Sequence, residues 1–137
     1  MVCQMDRGIS FEGINAHFTT YKLSPATKAV AVASGASYVE GKAVALTGNQ
    51  EVGFGANGNA FFGIIDKYED DGYVTVQDEG YRVDVPAVSG SVPTYGTRTL
   101  TVNGSGSVKS SGSIQTRGMV IESDNTANVN TVTVLIG

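Results

Sequence analysis

The chain has 137 residues and a formal net charge of −4, enough for one domain that hides about two-thirds of its unfolded surface and too little for two. Hydrophobic residues make up 41% and charged residues 16%; the charged share falls well below the ~25% of an average soluble domain, so Ser, Thr, Asn and Gly must carry much of the solvated surface. Nine Lys and Arg, scattered along a chain of pI 4.8, do not form the clustered basic patch that phosphate neutralisation requires, which argues against nucleic acid as a partner.

Eighteen Val and 13 Thr stand against 4 Leu. β-Branched side chains fit a pleated sheet better than a helix, where their χ1 freedom is lost, so the composition predicts an all-β chain. Gly is 18 of 137 while Pro is 3; glycine supplies the positive φ of tight hairpins, so many turns and few rigid corners are expected. The single cysteine, Cys3, cannot close an internal disulfide. No apolar run approaches the ~18 residues of a membrane span, and the opening MVCQMDRGIS lacks the apolar core of a signal peptide. The expectation is synthesis in a reducing cytosol, with no membrane partner.

Residues 1–24 show neither strict alternation nor a 3.6-residue period. They are read as an extended N-terminal arm, with Phe11, His17, Phe18 and Tyr21 as contact residues that order against a neighbouring subunit or a partner surface. The body is placed at 25–137. From Lys28 onward KAVAVA, KAVALT, AFFGIID and YVTVQ form short β-rich runs separated by Gly- and Asn-containing turns. Gly53, Gly55 and Gly58 match GxGxxG spacing, but the AFFGII that follows is a β-run without the helix a pyrophosphate site needs, so the motif reads as a strand connection. Phe61 and Phe62 are consecutive and must face opposite sides of a strand. Either one of them lies outside the core as a partner surface, or both faces of that strand are covered within the monomer.

Asn57-Gly58, Asp71-Gly72 and Asn103-Gly104 predict hairpin turns, because these dipeptides tolerate φ > 0. In YVTVQDEGYRVDVP, Val74 and Val76 share one face, and Tyr81, Val83 and Val85 share another. NGSGSVKSSGS reads as a long, mobile hairpin. TRTLTVN, RGMVIES and NTVTVLIG continue the strand pattern to the last residue. The predicted core holds Val74, Val76, Val83, Val85, Leu100, Val102, Val132 and Val134. No helix of ten or more residues is expected, and a small antiparallel β-barrel or β-sandwich is the natural way to limit exposed edges.

Catalytic chemistry finds little support. His17 is the only histidine, so any Ser-His-Asp or Cys-His mechanism would have to use it, and its place in the arm lacks the rigid support such a group needs. Asp66, Glu69, Asp70, Asp71, Asp78 and Glu79 offer oxygens for Ca²⁺, but their spacing fails the EF-hand pattern and Asp70-Asp71-Gly72 looks like a solvated turn. Neither catalytic residues, a metal site nor a cofactor are assigned. Asn103-Gly104-Ser105 matches a glycosylation sequon and is read as a turn.

Across residues 41–86 the order of elements is a GKAV strand, a Gly-rich turn, FFGII, an acidic turn and then VTVQ; Tyr95-Gly96 leads into TLTV, and Gly118-Met119-Val120 precedes a final VTVLI. In this order the chain resembles the small decoration (cement) proteins of tailed-bacteriophage heads. The likeness covers residues 28–137 and leaves the arm unmatched. It implies a non-enzymatic virion protein, a β-barrel or β-sandwich that forms trimers on the capsid exterior and bridges copies of the major capsid protein. The alternative is a carbohydrate-binding β-sandwich, which would need exposed aromatic platforms although Trp is absent and the Tyr residues are dispersed. A small β-barrel hydrolase stands third.

Overall fold

The computed structural model describes residues 16–69, 71–110, 116, 118–124 and 130–137. Strand accounts for 52% and helix for 13%, so the chain is all-β as its Val and Thr content predicts. The strands are β1 (His17–Leu23), β2 (Ala43–Gly48), β3 (Glu51–Gly53), β4 (Gly63–Tyr68), β5 (Tyr73–Pro86), β6 (Leu100–Val102), β7 (Val108–Ser110), β8 (Gly118–Asp124) and β9 (Thr131–Ile136). Two helices, α1 (Pro25–Ser34) and α2 (Ala36–Val39), lie between β1 and β2. Neither is long and apolar enough to cross a membrane.

Strands β1, β3, β2, β4 and β5 follow one another in the sheet, and β1 pairs again with β5, which closes a five-stranded barrel. Only the β1–β3 contact in that ring is parallel; the others are antiparallel. Closure leaves these strands no open edge to template pairing with another chain. At 14 residues, β5 outruns the barrel. Its second half pairs with β9, and β9 pairs with β8. The β6–β7 hairpin is tied on by single bridges, Ala60 to Thr101 and Ala87 to Val108.

Residues 17–23 correct the expected extent of the arm. They form β1, whose Thr19 and Tyr21 stand opposite Val76 and Val74 of β5 and whose Leu23 is buried. The strand escaped the alternation test because its outward positions carry Phe18, Thr20 and Lys22 rather than a clean polar set. Phe11 lies outside the described residues. The absence of a ten-residue helix is also corrected, since KAVAVA belongs to α1. The Ser24 side chain accepts from the Thr27 N–H at 3.3 Å, Pro25 opens the first turn, and Gly35, at φ 98°, ends the helix by donating its N–H to Ala31 O at 2.8 Å. Thr27 and Ala31, four apart, are its buried face. Capping and helical spacing therefore outweigh the β-propensity of Val30 and Val32.

Two cores share the wall of the barrel. Leu23, Val44, Val52, Ile65, Val74 and Val76 come from all five barrel strands and pack with Ala31 and Val39 of the helices. On the other side, Ala43, Ala45 and Ile64 meet Val85, Leu100, Val102, Val120, Val132 and Val134. Adjacent residues of β2 and β4 thus point into different cores, which is why these strands read as continuous apolar runs. β5 changes partners near Gly80, whose φ is +106° and where an added Cβ would stand 2.8 Å from Ala16 Cα. A bulge follows between Arg82 and Val85, with Asp84 at φ 56°. The extra residue explains the one exception in the predicted core: Val83 is half-buried while the other seven positions are buried.

Candidate functional site

The only buried carboxylate among the described residues lies where β1 and β5 meet. Asp78 follows Val74 and Val76 at the same parity, so the alternation that fills the barrel delivers a charged side chain to its end. His17, Thr19 and Tyr21 arrive on the facing strand by the same period of two. The Asp78 side chain is 9% exposed and that of His17 is 62% exposed. His17 Nδ1 lies 2.7 Å from Asp78 Oδ1, and since an ionised carboxylate only accepts, Nδ1 carries the proton and donates. Thr19 Oγ1 donates to Asp78 Oδ2 at 3.0 Å, and the Tyr21 hydroxyl makes a long 3.5 Å contact with the same oxygen. Burying a carboxylate requires such donors, because its lost hydration costs several kcal/mol otherwise.

An imidazole oriented by a carboxylate is the base half of many hydrolytic sites. Here the Thr19 hydroxyl stands 3.4 Å from Nδ1, the nitrogen turned towards Asp78, and its own proton is used on Asp78 Oδ2. The geometry therefore fastens β1 to β5, with the Thr19 proton spent on the carboxylate. Next to it a cleft of about 560 Å3 opens between Ala16, His17, Glu79, Gly80 and residues 135–137.

Of the six residues singled out from sequence, the structure brings three together. Tyr21 packs edge-on against Phe62, with ring centroids 5.5 Å apart at 84°, and shares the Asp78 cluster with His17. Phe18 points from the opposite face of β1 and is 44% exposed. Phe61 is 2% exposed in the second core, so it is no surface contact. Phe62 is half-buried against the barrel core and lines a shallow apolar groove of about 370 Å3 with Leu46 and Ala60. Phe61 and Phe62 precede β4 rather than lie in it, the first inside the second core and the second half-buried against the barrel core. Thr19 and Asp78 were missed as site residues, although the spacing of Val74, Val76 and Asp78 was a sufficient signal that Asp78 faces inward.

The other acidic residues do not converge. Asp66 accepts from Arg82 Nη1 at 2.9 Å, Glu69 from the Thr75 hydroxyl at 3.4 Å, and Asp71 from the Tyr73 N–H at 3.3 Å; Asp70 lies outside the described residues. Among those residues no group of three or more His, Cys, Asp or Glu is placed to hold a metal ion. At the β6–β7 turn, Asn103 Oδ1 accepts from the Ser105 and Ser107 N–H groups at 2.9 and 3.1 Å, which is the side-chain-built turn the Asn-Gly pair predicts. Residues 111–113 of the same Ser/Gly stretch lie outside the described residues. No family model matches this chain, and no curated protein matches it significantly.

Proposed function

We propose that the protein is a non-enzymatic decoration protein that binds the outside of a bacteriophage head through the major capsid protein and stabilises the shell. The observation that carries this reading is a filled interior combined with large apolar side chains left on strand faces. Both cores close within one chain, yet Phe18, Leu46, Tyr73 and Leu135 stand 44%, 52%, 45% and 37% exposed. A fold gains little from apolar groups it leaves in water, whereas a partner that covers them gains about 25 cal/mol per Å2. A clamp that binds only the assembled shell stabilises it by mass action, and many symmetric copies act together. In this reading Phe18 belongs to the contact surface and His17 stands beside it. Tyr21, Phe61 and Phe62 support that surface from within.

The test mixes the purified protein with empty heads of the phage that encodes it. Co-sedimentation and a raised disruption temperature of the heads are expected, with Phe18→Ser weakening both while the protein's own melting temperature holds. Heads that neither retain the protein nor gain stability overturn the reading. A carbohydrate-binding role keeps one supporting feature, Tyr95, which at 79% exposed is an aromatic side chain available for stacking; specific retention on a glycan array together with no head binding would favour it.

A further inference from the structure

Asn is followed by Gly twice in the chain, at Asn57-Gly58 and Asn103-Gly104. Glycine has no side chain to hinder its own amide nitrogen, which can close a five-membered ring on Cγ of the preceding Asn. That attack needs an N–H free to give up its proton and a side-chain carbonyl whose oxygen is stabilised as negative charge builds on it. The two pairs differ in both respects. At the first, the Gly58 N–H donates to Val102 O at 2.8 Å, so deprotonating it would forfeit a hydrogen bond and set a nitrogen lone pair against a carbonyl oxygen. Among the described residues no donor reaches the exposed Asn57 side chain.

At the β6–β7 turn the arrangement is reversed. The Asn103 side chain faces the Ser105 and Ser107 N–H groups at 2.9 and 3.1 Å. Both partners only donate, so the atom they meet is the carbonyl oxygen. Two backbone N–H groups converging on one carbonyl oxygen stabilise the oxyanion of a tetrahedral intermediate. The Gly104 N–H makes no hydrogen bond among the described residues. Asn103 and Gly104 are half-buried beside an exposed Ser105, so water and hydroxide reach them.

We propose that Asn103 is a site of spontaneous deamidation and that the fold directs this reaction to Asn103 and away from Asn57. The Gly104 nitrogen gives its proton to solvent and bonds to Asn103 Cγ, and charge collects on Oδ1 between the two N–H groups. The Cγ–Nδ2 bond then breaks, and the leaving nitrogen takes a proton from water and departs as ammonia. Water adds to either carbonyl of the resulting succinimide and opens it to an aspartate or an isoaspartate at position 103. The aspartate keeps an acceptor for both N–H groups. The isoaspartate routes the main chain through the former side-chain carbonyl and adds a methylene between Val102 and Val108, the buried pair that closes the hairpin. This chemistry belongs to the chain itself and does not depend on the decoration role.

The full chain is aged at mildly alkaline pH and then digested with trypsin, which frees residues 99–109 by cutting after Arg98 and after Lys109. The same fragment, cut out before ageing, is the unstructured reference. Aged within the folded chain, fragment 99–109 is expected to gain one mass unit and to split into aspartate and isoaspartate forms at least as fast as the free fragment does. Fragment 43–67 carries Asn57 together with Asn49 and Asn59, and its fragmentation spectrum assigns any gain to one of the three. Asn57 is expected to survive roughly tenfold longer in the folded chain than in the free fragment, because the Gly58 nitrogen reacts only when its bond to Val102 opens. A fragment 99–109 that ages more slowly folded than free overturns the proposal. So does an Asn57 that ages as fast folded as free.

Discussion

Asp78 and Thr101 are two buried polar residues with opposite fortunes. Asp78 collects His17 and Thr19 as donors and Tyr21 at longer range. Asp78→Ala would leave these groups facing an apolar barrel end without their acceptor, and we expect a loss of about 1–3 kcal/mol in denaturant unfolding. An unchanged midpoint would show that the cluster does not hold β1. Thr101 is 2% exposed and its hydroxyl has no hydrogen-bond partner. Thr101→Val keeps the branched shape, suits a strand and removes an unsatisfied oxygen, so thermal melting is expected to rise by a few degrees, equivalent to about 1 kcal/mol. A fall would mean that the hydroxyl is satisfied in solution.

β1 is the element whose role differs most from its sequence. It is the strand that closes the barrel, parallel to β3 on one side and antiparallel to β5 on the other. Deleting residues 1–24 would strip a whole side from β5 and expose Val74, Val76 and Val52. We expect the truncated chain to lose its cooperative thermal transition, whereas deletion of residues 1–15, which spares β1, retains it. Equal melting of the two truncations would contradict the closed barrel. α1 follows directly, and its first turn is bound into the barrel: Ser24 donates to Thr27 Oγ1 at 3.0 Å, and Thr27 Oγ1 accepts from the Phe54 N–H at 3.0 Å. An added Cβ at Gly53 would meet Ser24 Oγ at 2.3 Å. The first glycine of the GxGxxG spacing is thus needed for close packing of a strand on a helix start.

For the whole molecule, a single closed barrel carries a second sheet built on one long strand and leaves apolar side chains exposed on its strands. The proposed decoration role carries with it a homotrimer, because three-fold positions recur on an icosahedral shell. Native mass spectrometry in the absence of heads is expected to show three copies. A monomer that still binds heads would place all of the docking surface within one chain, and a dimer would contradict the three-fold arrangement.

Composition and local period determined much of this protein. The excess of Val and Thr set the all-β class, Asp71-Gly72 and Asn103-Gly104 set two hairpins, and the spacing of Val74, Val76, Leu100, Val102, Val132 and Val134 set the core, since each signal acts between neighbours a few residues apart. Ser24 and Pro25 open α1 with a cap and a first-turn proline that the β-branched look of KAVAVA hides in the sequence. Tertiary structure alone decided the rest. The pairing of His17 with Asp78 joins residues 61 apart, and the second core that buries Phe61 is assembled from β2 and from β4 through β9. The bulge at Asp84 that turns Val83 outward depends on the register between β5 and β9. No window of sequence contains these contacts, because a side chain's face is local while what covers that face comes from strands brought together only when the barrel closes.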